Sequence, residues 1–155
     1  LSGVTFLGCN LENVVFIDCI LEKASFISCK FSGKIESESA IKNCNFTDLD
    51  FSKIEIDNVS FINCSFAGCN FENYQFNNIF MLNVNFKNIN FVGSIFNNTN
   101  FNNININNAN LSKSQFVNSN FTNSNMQNVV LSSEITSENS SFIEKRFIEN
   151  WPISK

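Results

Sequence analysis

The side chains that could do chemistry in this chain are six cysteines and a scatter of acids. Cys9, Cys19, Cys29, Cys44, Cys64 and Cys69 are separated only by multiples of five residues. That is not metal-ligand spacing: there is no Cys-x-x-Cys pair and no His, so no metal site is expected. The lack of His also removes imidazole acid-base chemistry and the triads built on it. Acids stand two apart at Asp48 with Asp50 and at Glu55 with Asp57, a spacing open to acid-base work. Nothing around them implies a cleft, and they read as solvated outer side chains. The chain is therefore expected not to be an enzyme, with no catalytic residue and no cofactor.

What positions the cysteines is a repeat. In FNNININNANLSKSQFVNSNF the apolar residues Phe101, Ile106, Leu111, Phe116 and Phe121 are five apart, with mostly Asn and Ser between. A helix repeats its buried face at about 3.6 residues and a strand at 2, so a period of five belongs to neither alone. The series runs from Leu1 to Leu131 with a gap near Glu36, and it takes in all of the 19 Phe except Phe80, Phe142 and Phe147. Two residues before each of these stands a smaller side chain, and all six cysteines fall in that class. A separation of two puts both classes on one face of an extended segment. Each cysteine then reads as a small apolar core residue. Disulfides between stacked coils, such as Cys9 with Cys29 or Cys44 with Cys64, are open to this geometry but not required. Reduced core cysteines favour a cytosolic setting.

Each unit is thus a three-residue strand followed by two residues that turn. The second turn position carries Gly or Asn in most units, for example Gly8, Asn13, Asn43, Gly68, Asn83 and Asn103. These residues best tolerate the positive φ that a type II turn needs. Corners of constant hand wind such a chain into a solenoid whose coils pair at about 4.8 Å.

The units CNFEN (Cys69 to Asn73), ANLSK (Ala109 to Lys113), SNFTN (Ser119 to Asn123) and CSFAG (Cys64 to Gly68) make the chain resemble the pentapeptide-repeat family over residues 2 to 133. The period alone leaves the number of sides open. The resemblance implies an all-β, right-handed four-sided parallel β-helix with twenty residues per coil, hence six to seven coils.

Two stretches depart from the pattern. In FSGKIESESAI, from Phe31 to Ile41, Lys34 and Glu36 would fall on core positions, and burying either unpaired is costly. Residues 32–40 are therefore expected to form an irregular excursion with Ile35 drawn inward one residue early. After Leu131 the period stops. Ser141 with Glu144 suggests a capping box, Ile143, Phe147 and Trp151 recur at helical spacing, and Pro152 marks an end. The expected domains are a β-helix over 1–133 and, over 134–155, a capping helix and tail.

Charge divides the chain. Residues 1–72 hold ten acids and five bases, while residues 73–133 hold no acid and only Lys87 and Lys113. A net charge of -4 argues against a nucleic-acid partner. No apolar run approaches the roughly 18 residues that cross a bilayer, and no leader of charged, apolar and small residues opens the chain. Leu1, not Met, begins it in phase with the repeat, which suggests a domain of a longer protein. The expectation is a protein-protein interaction scaffold, cytoplasmic or, if part of a bacterial secreted effector as some relatives of this kind are, delivered into a host cell. Its oligomeric state is left open, with a homodimer through an uncapped end as one arrangement. The alternative that the resemblance supplies is a DNA mimic that binds DNA gyrase, as quinolone-resistance members do. Its acidic surface would be Glu12, Asp18, Glu22, Asp48, Asp50, Glu55, Asp57 and Glu72, although a mimic needs negative charge along much of its length.

Overall fold

A computed structural model describes residues 1–36, 40–132 and 135–142. Thr5 pairs with Ser25, Asn45 with Ser65 and Phe96 with Phe116, in parallel and twenty residues apart each time. Four five-residue units therefore make one coil. The chain is an all-β parallel solenoid of about six turns with four walls.

The first wall stacks Thr5–Leu7, Ser25–Ile27, Asn45–Thr47 and Ser65–Ala67, then continues as single bridges through Asn85, Asn105 and Asn125. The second includes bridges from Asp50 through Asn70, Asn90 and Asn110 to Val130. The third is divided. Asn10–Ile17, Lys30–Glu36 and Ile54–Asp57 form one sheet, and Gln75–Asn77, Ile95–Asn97, Gln115–Val117 and Thr136–Glu138 form another. The fourth runs from Ile41–Lys42 through Ser60–Ile62, Phe80–Leu82, Asn100–Asn102 and Asn120–Thr122 to Ser141–Phe142.

Inside, the large residues form columns. On the first wall Phe6, Phe26, Phe46, Phe66 and Phe86 stack with centroids 4.9, 5.3, 4.9 and 4.9 Å apart and planes within 14°. On the third, Phe76, Phe96 and Phe116 stack at 4.8 Å. Across a corner the contacts become edge-on, as between Phe46 and Phe51 at 77° and between Phe61 and Phe66 at 75°. Offset stacking along a wall and edge contacts between walls both suit the ring quadrupole. Burial of each ring contributes on the order of 2 to 3 kcal/mol before ordering entropy is subtracted.

The small class has its own rule. Ser94, Ser114 and Ser119 are fully buried, and their hydroxyls donate to the Phe71, Phe91 and Phe96 carbonyls, 23 residues earlier, at 2.7, 2.8 and 3.1 Å. Cys29, Cys64 and Cys69 make the same contact with Phe6, Ile41 and Phe46 at 3.4, 3.4 and 3.5 Å. At these six positions the hydroxyl or thiol finds a carbonyl of the preceding coil.

Most corners place their second residue at positive φ, as at Asn63 (54°), Asn83 (55°) and Asn103 (53°). Asn carries a second benefit. The Asn63 amide donates to Asn43, Asn83 to Asn63 and Asn103 to Asn83 at 3.2, 2.9 and 2.7 Å, so the corner becomes a ladder of side chains. Asp18, Lys23, Ser28, Asp48 and Lys113 adopt the same conformation without being Asn or Gly.

The first irregular stretch loses one residue at a corner. Pairing changes from Leu11 with Phe31 to Val14 with Gly33, a step of nineteen, and recovers with Gly33 opposite Ile54. Ile35 thereby lines up with Phe16 and Ile56 and is 1% exposed, while Glu36 is exposed. Residues 37–39 lie outside the described residues.

At the far end the paired strands run past residue 133, where the sequence pattern ends the solenoid. Thr136–Glu138 pairs with Gln115–Val117 and Ser141–Phe142 with Asn120–Phe121, now 21 residues apart. One extra residue shifts this last coil out of phase, so the fivefold series misses it, although Ile135 is 3% exposed. Ser141, expected as a helix cap, lies in a strand. The rest of the expected helix, 143–155, lies outside the described residues.

Candidate functional site

The solenoid spreads the predicted acidic surface over three walls and the corners beside them, because five residues advance the chain by one side. Glu12 and Glu72 share the corner between the second and third walls but are three coils apart. Asp48 stands at the corner before the second wall, Asp50 on that wall, Glu55 on the third and Asp18 at the corner beyond it. Glu22 bridges Ser2 and Lys42 on the fourth wall. Asp57 belongs to the third wall, its side chain outside the description. The structure does not bring these acids together.

Asp50 has a local task. It caps the single turn of 3-10 helix Phe51–Lys53, accepting from the Ser52 hydroxyl at 2.6 Å and backbone N–H at 3.2 Å, and pairs with Lys53 at 3.4 Å. Burial opposes its ionisation, but these bonds and one from Asn70 outweigh that and hold its carboxyl below the usual range.

A broad concavity lies where the third wall is divided. It is an open groove of about 900 Å³. One rim is the corner series Asn13, Ser32, Ser52 and Asn73, the floor includes Ile54, Ile56 and Tyr74, and Val15, Lys34, Glu55 and Gln75 project beside it. Lys34 reaches Glu36 at 3.0 Å and Glu55 at 3.6 Å, so its charge is shared within the groove.

Tyr74 explains the division. It occupies the small position that holds Ser94 and Ser114 in later coils, where a phenol does not fit the slot of a hydroxymethyl group. Its ring packs edge-on against Phe71 at 5.5 Å and Phe76 at 4.7 Å, in space that Ile56 leaves where the later coils of this wall carry Phe. Burial pushes the phenol well above its ordinary pKa, against a smaller opposing pull from the Ile56 backbone. In later coils strand meets strand directly, with the Ile95 N–H donating to Tyr74 at 2.8 Å and Gln115 to Ser94 at 2.9 Å. Between Ile54–Asp57 and Gln75–Asn77 the phenol meets the Ile56 backbone instead. Removing it should therefore hurt: Tyr74→Phe is expected to lose about 1 to 2 kcal/mol in chemical denaturation, the cost of a buried backbone group left without its polar partner.

Chemically the groove offers amides, hydroxyls and a neutral phenol. Among the described residues no group of three or more His, Cys, Asp or Glu is arranged to hold a metal ion. A second hollow of about 330 Å³, on the first wall around Val84 and Ile104, is lined otherwise by Asn alone. No helix among the described residues is long and apolar enough to cross a membrane.

The model of pentapeptide repeats matches in eight copies, over residues 1–33, 44–81, 84–123 and 99–133. The chain belongs to the pentapeptide-repeat family. Among proteins with curated descriptions none matches it in sequence. Among solved structures it is similar to a trypsin-treated variant of QnrB1, described as a plasmid-mediated fluoroquinolone resistance protein, at 16% identity and a TM-score of 0.63 over 97% of this chain and 90% of that one. At that identity the likeness speaks for the pentapeptide fold alone. It also matches Rfr23 of the cyanobacterium Cyanothece 51142 at 15% identity over 87% and 88% of the two chains, with a TM-score of 0.35 that carries no argument.

The groove was missed by reasoning from the repeat, which looks for agreement among units. Two deviations could have flagged it: the lone Tyr of the chain in a slot for small residues, and Ile56 at the corresponding large position in the coil before.

Proposed function

We propose that this pentapeptide-repeat solenoid is a non-catalytic protein-interaction scaffold, a domain of a larger bacterial protein such as a secreted effector, and that it engages its partner through the groove in the third wall. The observation that carries this is the division of that wall. Elsewhere the strands of the wall pair directly, but at the groove Ile54–Asp57 and Gln75–Asn77 belong to separate sheets beside a row of amides and hydroxyls, features that suit an extended polar segment of another protein. Lys34 is paired within the groove, so recognition rests on hydrogen bonding and shape.

The test is site-specific photo-crosslinking from Gln75, in the groove, and from Asn105, on the first wall opposite, in extracts of the producing bacterium and of candidate host cells. A discrete protein adduct from position 75 that is absent from position 105 is expected. Equal labelling from both walls, or none from position 75 in any extract, would sink the proposal. A gyrase-binding DNA mimic is the second role in view, and the dispersal of the acids over three walls and their corners and the acid-free run from Asn73 to Ser133 weigh against it. A supercoiling assay separates the two roles, with no inhibition at micromolar protein expected.

A further inference from the structure

Cys44 and Cys64 begin two successive coils on the first wall, and the Ser65 N–H donates to the Cys44 carbonyl at 3.0 Å, so the two residues are direct neighbours up the stack. Parallel strands about 4.8 Å apart lie inside the Cα range of roughly 4.4 to 6.8 Å that a disulfide spans. Both side chains point inward, and each is only 2% exposed. Their sulfurs converge on adjacent carbonyls, Cys44 on Lys42 at 3.3 Å and Cys64 on Ile41 at 3.4 Å. Cys69 lacks such a mate, because position 49, one coil before it, is Leu. Cys9 and Cys29 are one coil apart, but Cys9 sits half-buried in the first coil.

We infer that Cys44 and Cys64 form a reversible oxidation site, closing to an inter-coil disulfide when the protein meets hydrogen peroxide. Two S–H bonds break, one S–S bond forms, and the peroxide is reduced to two waters. Stacking on successive coils sets the two thiols side by side, so a sulfenic acid formed on either meets the other as its resolving thiol and closes to the disulfide with loss of water. Closing the bond ends both S–H contacts with their carbonyls, and exchange with a small dithiol reopens it. Its position gives it a consequence. Cys44 and Cys64 open the same two coils whose third-wall strands, Ile54–Asp57 and Gln75–Asn77, belong to separate sheets. The bond would staple those coils from the wall opposite the groove and limit how far they part.

Peptide mapping without reductant after peroxide treatment of the purified protein tests this. A Cys44–Cys64 peptide lighter by two hydrogens is expected, with a rise in Tm on the order of 5 °C that dithiothreitol reverses. An oxidised product without that linkage, whether bridged at Cys9–Cys29, bridged between molecules or carrying sulfinic acid, overturns the inference, and so does a protein that peroxide leaves unchanged. Cys64→Ser is the control. Serine already fills this class of position at Ser94 and Ser114 with the same carbonyl bond, so the variant keeps the fold. It must lose both the linkage and the Tm rise, and an equal rise in the variant would overturn the inference as well.

Discussion

Phe66→Ala is expected to cost about 3 to 5 kcal/mol of stability, the range for truncating a fully buried aromatic residue, and to be the most damaging of single core truncations in this solenoid. The ring is 0% exposed and is the hub of the core. It stacks between Phe46 and Phe86, each at 4.9 Å, and takes edge contacts from Phe51, Phe61 and Phe71 at 5.3, 5.2 and 5.6 Å. Its removal leaves a void against rings of three coils, and rings held by neighbours above and below have little freedom to collapse into it. Urea denaturation followed by circular dichroism gives the number, with Phe80→Ala as comparator. Phe80 points outward and is 37% exposed, so its loss should stay within about 1 kcal/mol. Equal losses at the two positions would mean that the stacked columns are not what holds the coils together.

Gly33→Ala is the second large effect, about 2 to 4 kcal/mol, measured as a fall in Tm. Gly33 sits at φ +122°, a conformation that side-chain-bearing residues rarely adopt, at the corner that has lost a residue. An added methyl would overlap the Val14 carbonyl oxygen and approach the Val14 nitrogen to 3.0 Å. The obstacle is backbone and cannot swing aside. Gly8→Ala separates conformation from crowding: φ there is +59° and nothing lies within 4 Å of the added atom, so only the left-handed penalty of about 1 to 2 kcal/mol remains.

The fold was legible because one rule is written many times over. Phe in one phase, a small residue two before it and Asn at the corners each answer a separate physical demand, and coincidence across so many units leaves the solenoid little competition. The site was not legible for the same reason. Asp48, Asp50, Glu55 and Asp57 look like a cluster along the chain, yet a quarter-turn every five residues sends close neighbours in sequence to different walls. The groove, in turn, arises from two residues a coil apart, Ile56 and Tyr74, whose mismatch matters only once coils are stacked. The last coil escaped because a single added residue before Thr136 carries Ile135 out of phase, and periodicity has no memory for a frame that moves by one.

The ladders of identical corner amides set a problem of identity for the folding chain. A coil displaced by twenty residues still finds an apolar side chain above an apolar one and Asn above Asn at three of its four corners, so neighbouring threadings differ little in local energy from Asn78 to Gln127. The shortened corner at Gly33 and the oversized phenol at Tyr74 have no counterpart one coil away, and each fits a single neighbour. They act as index marks that fix which winding stacks on which, one in the second coil and one in the fourth.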